Sequence, residues 1–95
     1  MRKTRTLYKD AIYHVFSRGN CKKTIFKEKN DYEIFLNLLN KLQEKFSFKI
    51  LSYCLMPNHY HLLIQTPDAN LPVIMHHLNQ SYATYFNSYH HEIGY

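Results

Sequence analysis

The stretch FKILSYCLMPNHYHLLIQT, Phe48–Thr66, decides the fold. It holds two runs rich in aliphatic and aromatic residues, about 48–55 and 60–66. They are separated by Met56-Pro57-Asn58, a turn-prone joint. Two strands joined so tightly must pair antiparallel. Within the second run the period of two sets Tyr60, Leu62 and Ile64 against His59 and His61. One face is then apolar and the other carries two imidazoles, so the sheet is covered on one side only.

Working outward, residues 11–18 (AIYHVFSR) read as a further strand that ends at the turn signal Gly19-Asn20. Its alternation places Ile12, His14, Phe16 and Arg18 on one face and Tyr13, Val15 and Ser17 on the other. A helix is expected over 31–46, capped by Asn30 with Glu33 in the capping-box position. Phe35, Leu38, Leu39, Leu42 and Phe46 supply its apolar stripe. A second helix is expected to start at Asp68-Ala69-Asn70, to tolerate Pro72 in its first turn, and to run to about residue 88. Leu71, Met75, Leu78, Tyr82, Tyr85 and Tyr89 are expected to share its buried face. The order strand, helix, strand, strand, helix is an α+β, ferredoxin-like split βαβ arrangement without its last strand. In that topology the third strand lies between the first and second, and a last strand would pair with the first. Only His90–Tyr95 follow Tyr89, so the chain is expected to be the amino-terminal part, 1–95, of a single domain.

Composition bounds the function. Hydrophobic residues make up 45% of the 95, and Gly and Pro together number five, a folded composition. No apolar run approaches the roughly 20 residues of a membrane span, and the basic amino terminus is not followed by a signal-peptide core. A cytoplasmic protein with no membrane partner is expected. Cys21 and Cys54 form no CxxC pair and read as reduced thiols. Residues 1–27 carry eight Lys/Arg against one acid, a net of +7. The other 68 residues carry four against six, a net of −2. A polyanion near the amino-terminal segment is one reading of this asymmetry, and a solvated basic surface is the other.

His59-Tyr60-His61 is the sharpest chemical feature. Two imidazoles standing side by side on a strand can hold one divalent ion and leave positions for a third ligand and a substrate oxygen. His76-His77 and His90-His91 are adjacent pairs, and adjacent residues on a helix do not face together. His14 is read as a sheet histidine, a group that orients a ligand, or a third ligand.

The string from Leu51 to Pro67, with MPNHYHLLI at its centre, resembles the HUH signature of the insertion-sequence-200-like, REP-associated single-tyrosine transposases. Tyr13–Asn20, the Phe/Tyr/Leu-rich first helix and Leu78–Asn87 match the same family in order. The resemblance implies a ferredoxin-like core, His59 and His61 as ligands of Mg²⁺ or Mn²⁺, and action on single-stranded or hairpin DNA. It also implies a tyrosine nucleophile that leaves a 5′-phosphotyrosine and a free 3′-hydroxyl. That tyrosine belongs to a segment resembling YIHLNPVR, which does not occur here. It is therefore expected beyond Tyr95, as is any metal contact from the same helix. Among the tyrosines present Tyr85 is the weak candidate, because Tyr82, Tyr85 and Tyr89 have the spacing of a buried helix face. Arg2, Lys3, Arg5, Arg18 and Asn20 are the DNA-binding candidates. Three readings remain open here: a metal-dependent transposase whose metal- and DNA-binding half this is, a nucleic-acid-binding module that does not cut, and a zinc site using His59, His61 and Cys54. A homodimer is compatible with each.

Overall fold

The computed structural model describes residues 10–19, 23–67 and 70–91. Five elements follow in chain order: β1 (Ile12–Arg18), α1 (Lys29–Phe46), β2 (Lys49–Met56), β3 (His59–Gln65) and α2 (Leu71–Tyr89). The sheet order is β1-β3-β2, antiparallel throughout. This is the expected β-α-β-β-α arrangement, with the third strand in the middle.

β2 and β3 are joined by the two-residue turn Pro57-Asn58, so β3 begins one residue earlier than the sequence suggests and takes in His59. The turn is anchored from outside. The Pro57 carbonyl accepts from the Ile25 and Phe26 amides, and the Asn58 carbonyl accepts from Gly19. Gly19 is there because nothing larger fits: a Cβ would collide with the Lys23 carbonyl oxygen and lie 2.9 Å from Ile25 Cγ2. The loop after β1 thus grips the turn that precedes His59.

Both helices cover one face of the sheet. Tyr60, Leu62 and Ile64 of β3 are fully buried among Ile25, Phe26, Phe35, Leu39, Phe48, Leu71, Ile74, Leu78, Tyr82 and Phe86. Tyr60 touches both layers. Its ring packs on Phe35 of α1 at 4.9 Å, and its hydroxyl donates to Asn79 Oδ1 of α2 at 2.7 Å. The opposite face is open. Burying the aromatic and aliphatic side chains between the helices and the covered face drives assembly, at about 1.5–3 kcal/mol for each fully buried side chain.

Two details correct the sequence reading. α1 starts at Lys29, with Glu28 rather than Asn30 at its N-cap. The Asp31 carboxylate accepts from the Lys27 and Glu28 amides, at 2.7 and 3.1 Å, and so satisfies donors that Asn30 would have left bare. Asn30 lies within the helix instead. In α2 the buried line is Leu71, Ile74, Leu78, Tyr82 and Phe86. Met75 and Tyr85 flank that line half-buried, and Tyr89 is 48% exposed. The phenols of Tyr85 and Tyr89 pull their residues towards polar partners at the margin, and Ile74 and Phe86 fill the core in their place. A register irregularity between Ile50 and Ser52 leaves Leu51 exposed on the edge strand β2.

Candidate metal and nucleic-acid site

The open face is built by the same alternation that fills the core. β3 sends His59, His61, Leu63 and Gln65 to it, and β1 sends Ile12, His14, Phe16 and Arg18. Register sets the neighbours: Arg18 lies opposite His59, Phe16 opposite His61, and on the far side Met56 opposite His59 and Cys54 opposite His61.

The His59 and His61 rings are half-buried, 5.3 Å apart between centroids, and perpendicular at 89°. Each has a partner at its Nδ1. The His59 Nδ1–H donates to Asn58 Oδ1 at 2.8 Å; an amide oxygen can only accept, so this fixes the ring's tautomer. His61 Nδ1 lies 3.1 Å from His14 Nε2, with the two rings 18° from parallel. Phe16 packs against both histidines, at 4.9 Å from His61 and 5.6 Å from His59. The Arg18 guanidinium sits 5.5 Å above the Phe16 ring, a cation–π distance. A groove of about 440 Å³ opens beside His14 and Phe16, walled by Leu71, Pro72, Met75 and Asn79 of α2.

The structure therefore brings His14, Phe16, Arg18, His59 and His61 together. Arg2, Lys3, Arg5 and Asn20 lie outside the described residues. Cys54 is an exposed free thiol across from His61. Even so, no three His, Cys, Asp or Glu side chains among the described residues are grouped to hold an ion, so a closed zinc site with Cys54 is not assembled.

The tyrosines of α2 are engaged on the helix side of the sheet. Tyr82 is buried and donates to the Ile25 carbonyl. The Tyr85 hydroxyl donates to Asp31 Oδ1 at 2.6 Å and accepts from Asn30 Nδ2 at 2.9 Å. Burial, and then the hydrogen bond to the Asp31 carboxylate, push the Tyr85 phenol well above its ordinary range. That opposes the phenolate character a nucleophile needs. Tyr89 leans on Glu28, whose charge also raises its phenol.

Sequence reasoning missed Asp31, which lies at the centre of this second cluster. Besides Tyr85 and two amides it meets His90 Nε2 at 2.9 Å from each oxygen. Burial alone would raise its carboxyl, but the hydrogen bonds from Tyr85, His90, Lys27 and Glu28 outweigh that and hold it below its ordinary value. No local signal links residues 31 and 90. The role of Asn58 was closer to reach, since it precedes His59 directly.

A family model for IS200-like transposases matches residues 7–95. The chain belongs to the IS200-like transposase family. The match spans β1 to α2, and so includes every residue of the open-face cluster. A transposase works on DNA, so the family points to DNA as the partner of this chain. No curated protein and no solved structure matches this IS200-like chain. No helix among its described residues is long and apolar enough to cross a membrane.

Proposed function

We propose that this chain is the metal- and DNA-binding part of a single-tyrosine HUH transposase, one that cleaves and rejoins single-stranded or hairpin DNA through a 5′-phosphotyrosine. The observation that carries the reading is the pairing of His59 and His61 on the open face, with Nδ1 of each ring hydrogen-bonded, so that Nε2 is the nitrogen that would take an ion. The two imidazoles would supply two positions of an Mg²⁺ or Mn²⁺ ion; both ions favour oxygen ligands, and the remaining positions would belong to water and phosphate oxygens. Such an ion supplies Lewis-acid polarisation of a scissile phosphate. Phe16 offers a π-face for a base beside the histidine pair, and Arg18 offers a cation for the adjoining phosphate.

The same face supports a second reading, a module that grips nucleic acid without cutting it. The placement of Tyr82 and Tyr85 on the helix side favours it, because neither phenol shares a face with His59 and His61. One experiment separates the two. The purified chain is incubated with labelled single-stranded DNA and Mn²⁺, and covalent adduct and retained DNA are both measured. With Tyr82 and Tyr85 on the helix side, no adduct is expected from this chain on either reading, and an adduct would reveal a nucleophile elsewhere. Retention that strengthens with Mn²⁺ and loses that response in His59→Ala and His61→Ala supports the transposase part. Retention indifferent to Mn²⁺ supports the binding module and removes the metal from the account.

A further inference from the structure

We infer that His14 and Asn58 are positioning residues: each accepts the Nδ1–H of one histidine of the pair, and together they lock both rings in the tautomer that leaves Nε2 free. The inference rests on the metal reading of His59 and His61 and goes beyond it, because it assigns work to two side chains that bind no substrate.

An imidazole can hold a metal only through a nitrogen that carries a lone pair. In a neutral ring one nitrogen has the lone pair and the other the hydrogen, and in water the hydrogen ordinarily prefers Nε2. A bare HxH pair would thus spend much of its time with the wrong nitrogen protonated. Here each Nδ1 has its own hydrogen-bond partner. Asn58 Oδ1 stands 2.8 Å from His59 Nδ1 and admits one direction of donation only. His14 Nε2 stands 3.1 Å from His61 Nδ1. When His61 donates, its Nε2 matches that of His59, and both rings offer lone pairs from the same strand face. Metal-bound histidines are oriented by this kind of partner, and losing the partner typically weakens binding 10- to 100-fold.

The two acceptors reach the pair from different elements. Asn58 sits in the Pro57-Asn58 turn, whose backbone carbonyls are held by Gly19, Ile25 and Phe26. His14 sits on β1, where the antiparallel register puts it diagonally beside His61, opposite Leu63. His14 is exposed, so its replacement does not disturb the core.

The test measures the tautomer and the ion separately. Nitrogen-15 spectra of the histidine rings are recorded on the metal-free chain, and Mn²⁺ affinity is read by the loss of its free-ion EPR signal. The unaltered chain is expected to show Nδ1–H and bare Nε2 at both His59 and His61. His14→Phe is expected to shift His61 towards Nε2–H and weaken Mn²⁺ binding at least tenfold, with His59 unchanged. Asn58→Leu is expected to do the reverse, and His14→Gln, whose amide oxygen falls near the lost Nε2, is expected to recover most of the affinity. Unchanged His61 spectra and unchanged affinity in His14→Phe overturn the inference. So do nitrogen couplings on bound Mn²⁺ that His14→Phe removes, because they make His14 a ligand. If the unaltered chain shows both Nδ1–H tautomers yet binds no Mn²⁺, the metal reading itself falls and the positioning role falls with it.

Discussion

Asp31 shows how much one side chain can settle. It is fully buried, and its two oxygens receive two backbone amides, a phenol and an imidazole. Removing it orphans all four, and a buried charged network broken on one side costs about 3–5 kcal/mol. Asp31→Ala should therefore lower the urea midpoint sharply, whereas Tyr85→Phe, which leaves His90 in place, should cost only about 1–2 kcal/mol. The pH dependence follows from the sign of the shift. The Asp31 carboxyl is held below its ordinary 3.8 in the folded chain, so its stabilisation is complete above that pH and is lost as pH falls through the lower folded value. Urea midpoints measured from pH 7 downward should drop below about pH 4, and Asp31→Asn should flatten that drop. A drop of equal depth in Asp31→Asn would assign it to other carboxylates. None of this was legible in the sequence, because residues 31 and 90 meet only once both helices are laid on the sheet. The shared face of His59 and His61 was legible, since parity along a strand needs no tertiary information.

Among the elements, β3 was the easiest to read and α2 the hardest. Alternation in β3 allows one register, because a slip by one residue would bury both histidines and expose Tyr60, Leu62 and Ile64. Around α2, apolar or aromatic side chains occur on more than one face, so spacing alone chose Met75, Tyr85 and Tyr89 where packing chose Ile74 and Phe86. The difference is measurable. Ile74→Ala deletes a fully buried side chain and should cost about 2–5 kcal/mol. Tyr89→Ala, at a position 48% exposed, should cost under about 1 kcal/mol. Equal losses would restore the tyrosine face as the core line. α1 illustrates the same limit at its start. Asn30 and Glu33 formed a plausible capping pair, but one oxygen of Asp31, Oδ2, accepts from both the Lys27 and Glu28 amides and wins the first turn for Glu28.

Charge belongs to the whole molecule, and it gives the last prediction. The net of +5 conceals a basic amino-terminal 27 residues and a slightly acidic remainder. Arg18, stacked over the Phe16 ring beside the histidine pair, sits at the end of β1, within that basic segment. DNA held on the open face, as proposed, would meet positive charge on the β1 side and the two imidazoles in the middle of the sheet. Each cation that neutralises a phosphate releases a counterion, which steepens the fall of affinity with salt by about 0.7 in log–log slope for a single strand. Replacing Arg2, Lys3 and Arg5 together by Ala should then reduce the slope by about 2 if all three touch phosphate. Arg18→Ala should reduce it by up to about 0.7. His59→Ala with His61→Ala, measured in EDTA, should leave it unchanged if the imidazoles serve the ion and not the phosphate. Fluorescence anisotropy of a labelled single-stranded oligonucleotide between low and moderate salt reads all three slopes. If the amino-terminal triple variant keeps the full slope while Arg18→Ala loses it, phosphate is gripped at the sheet alone and the basic arm is only a solvated surface.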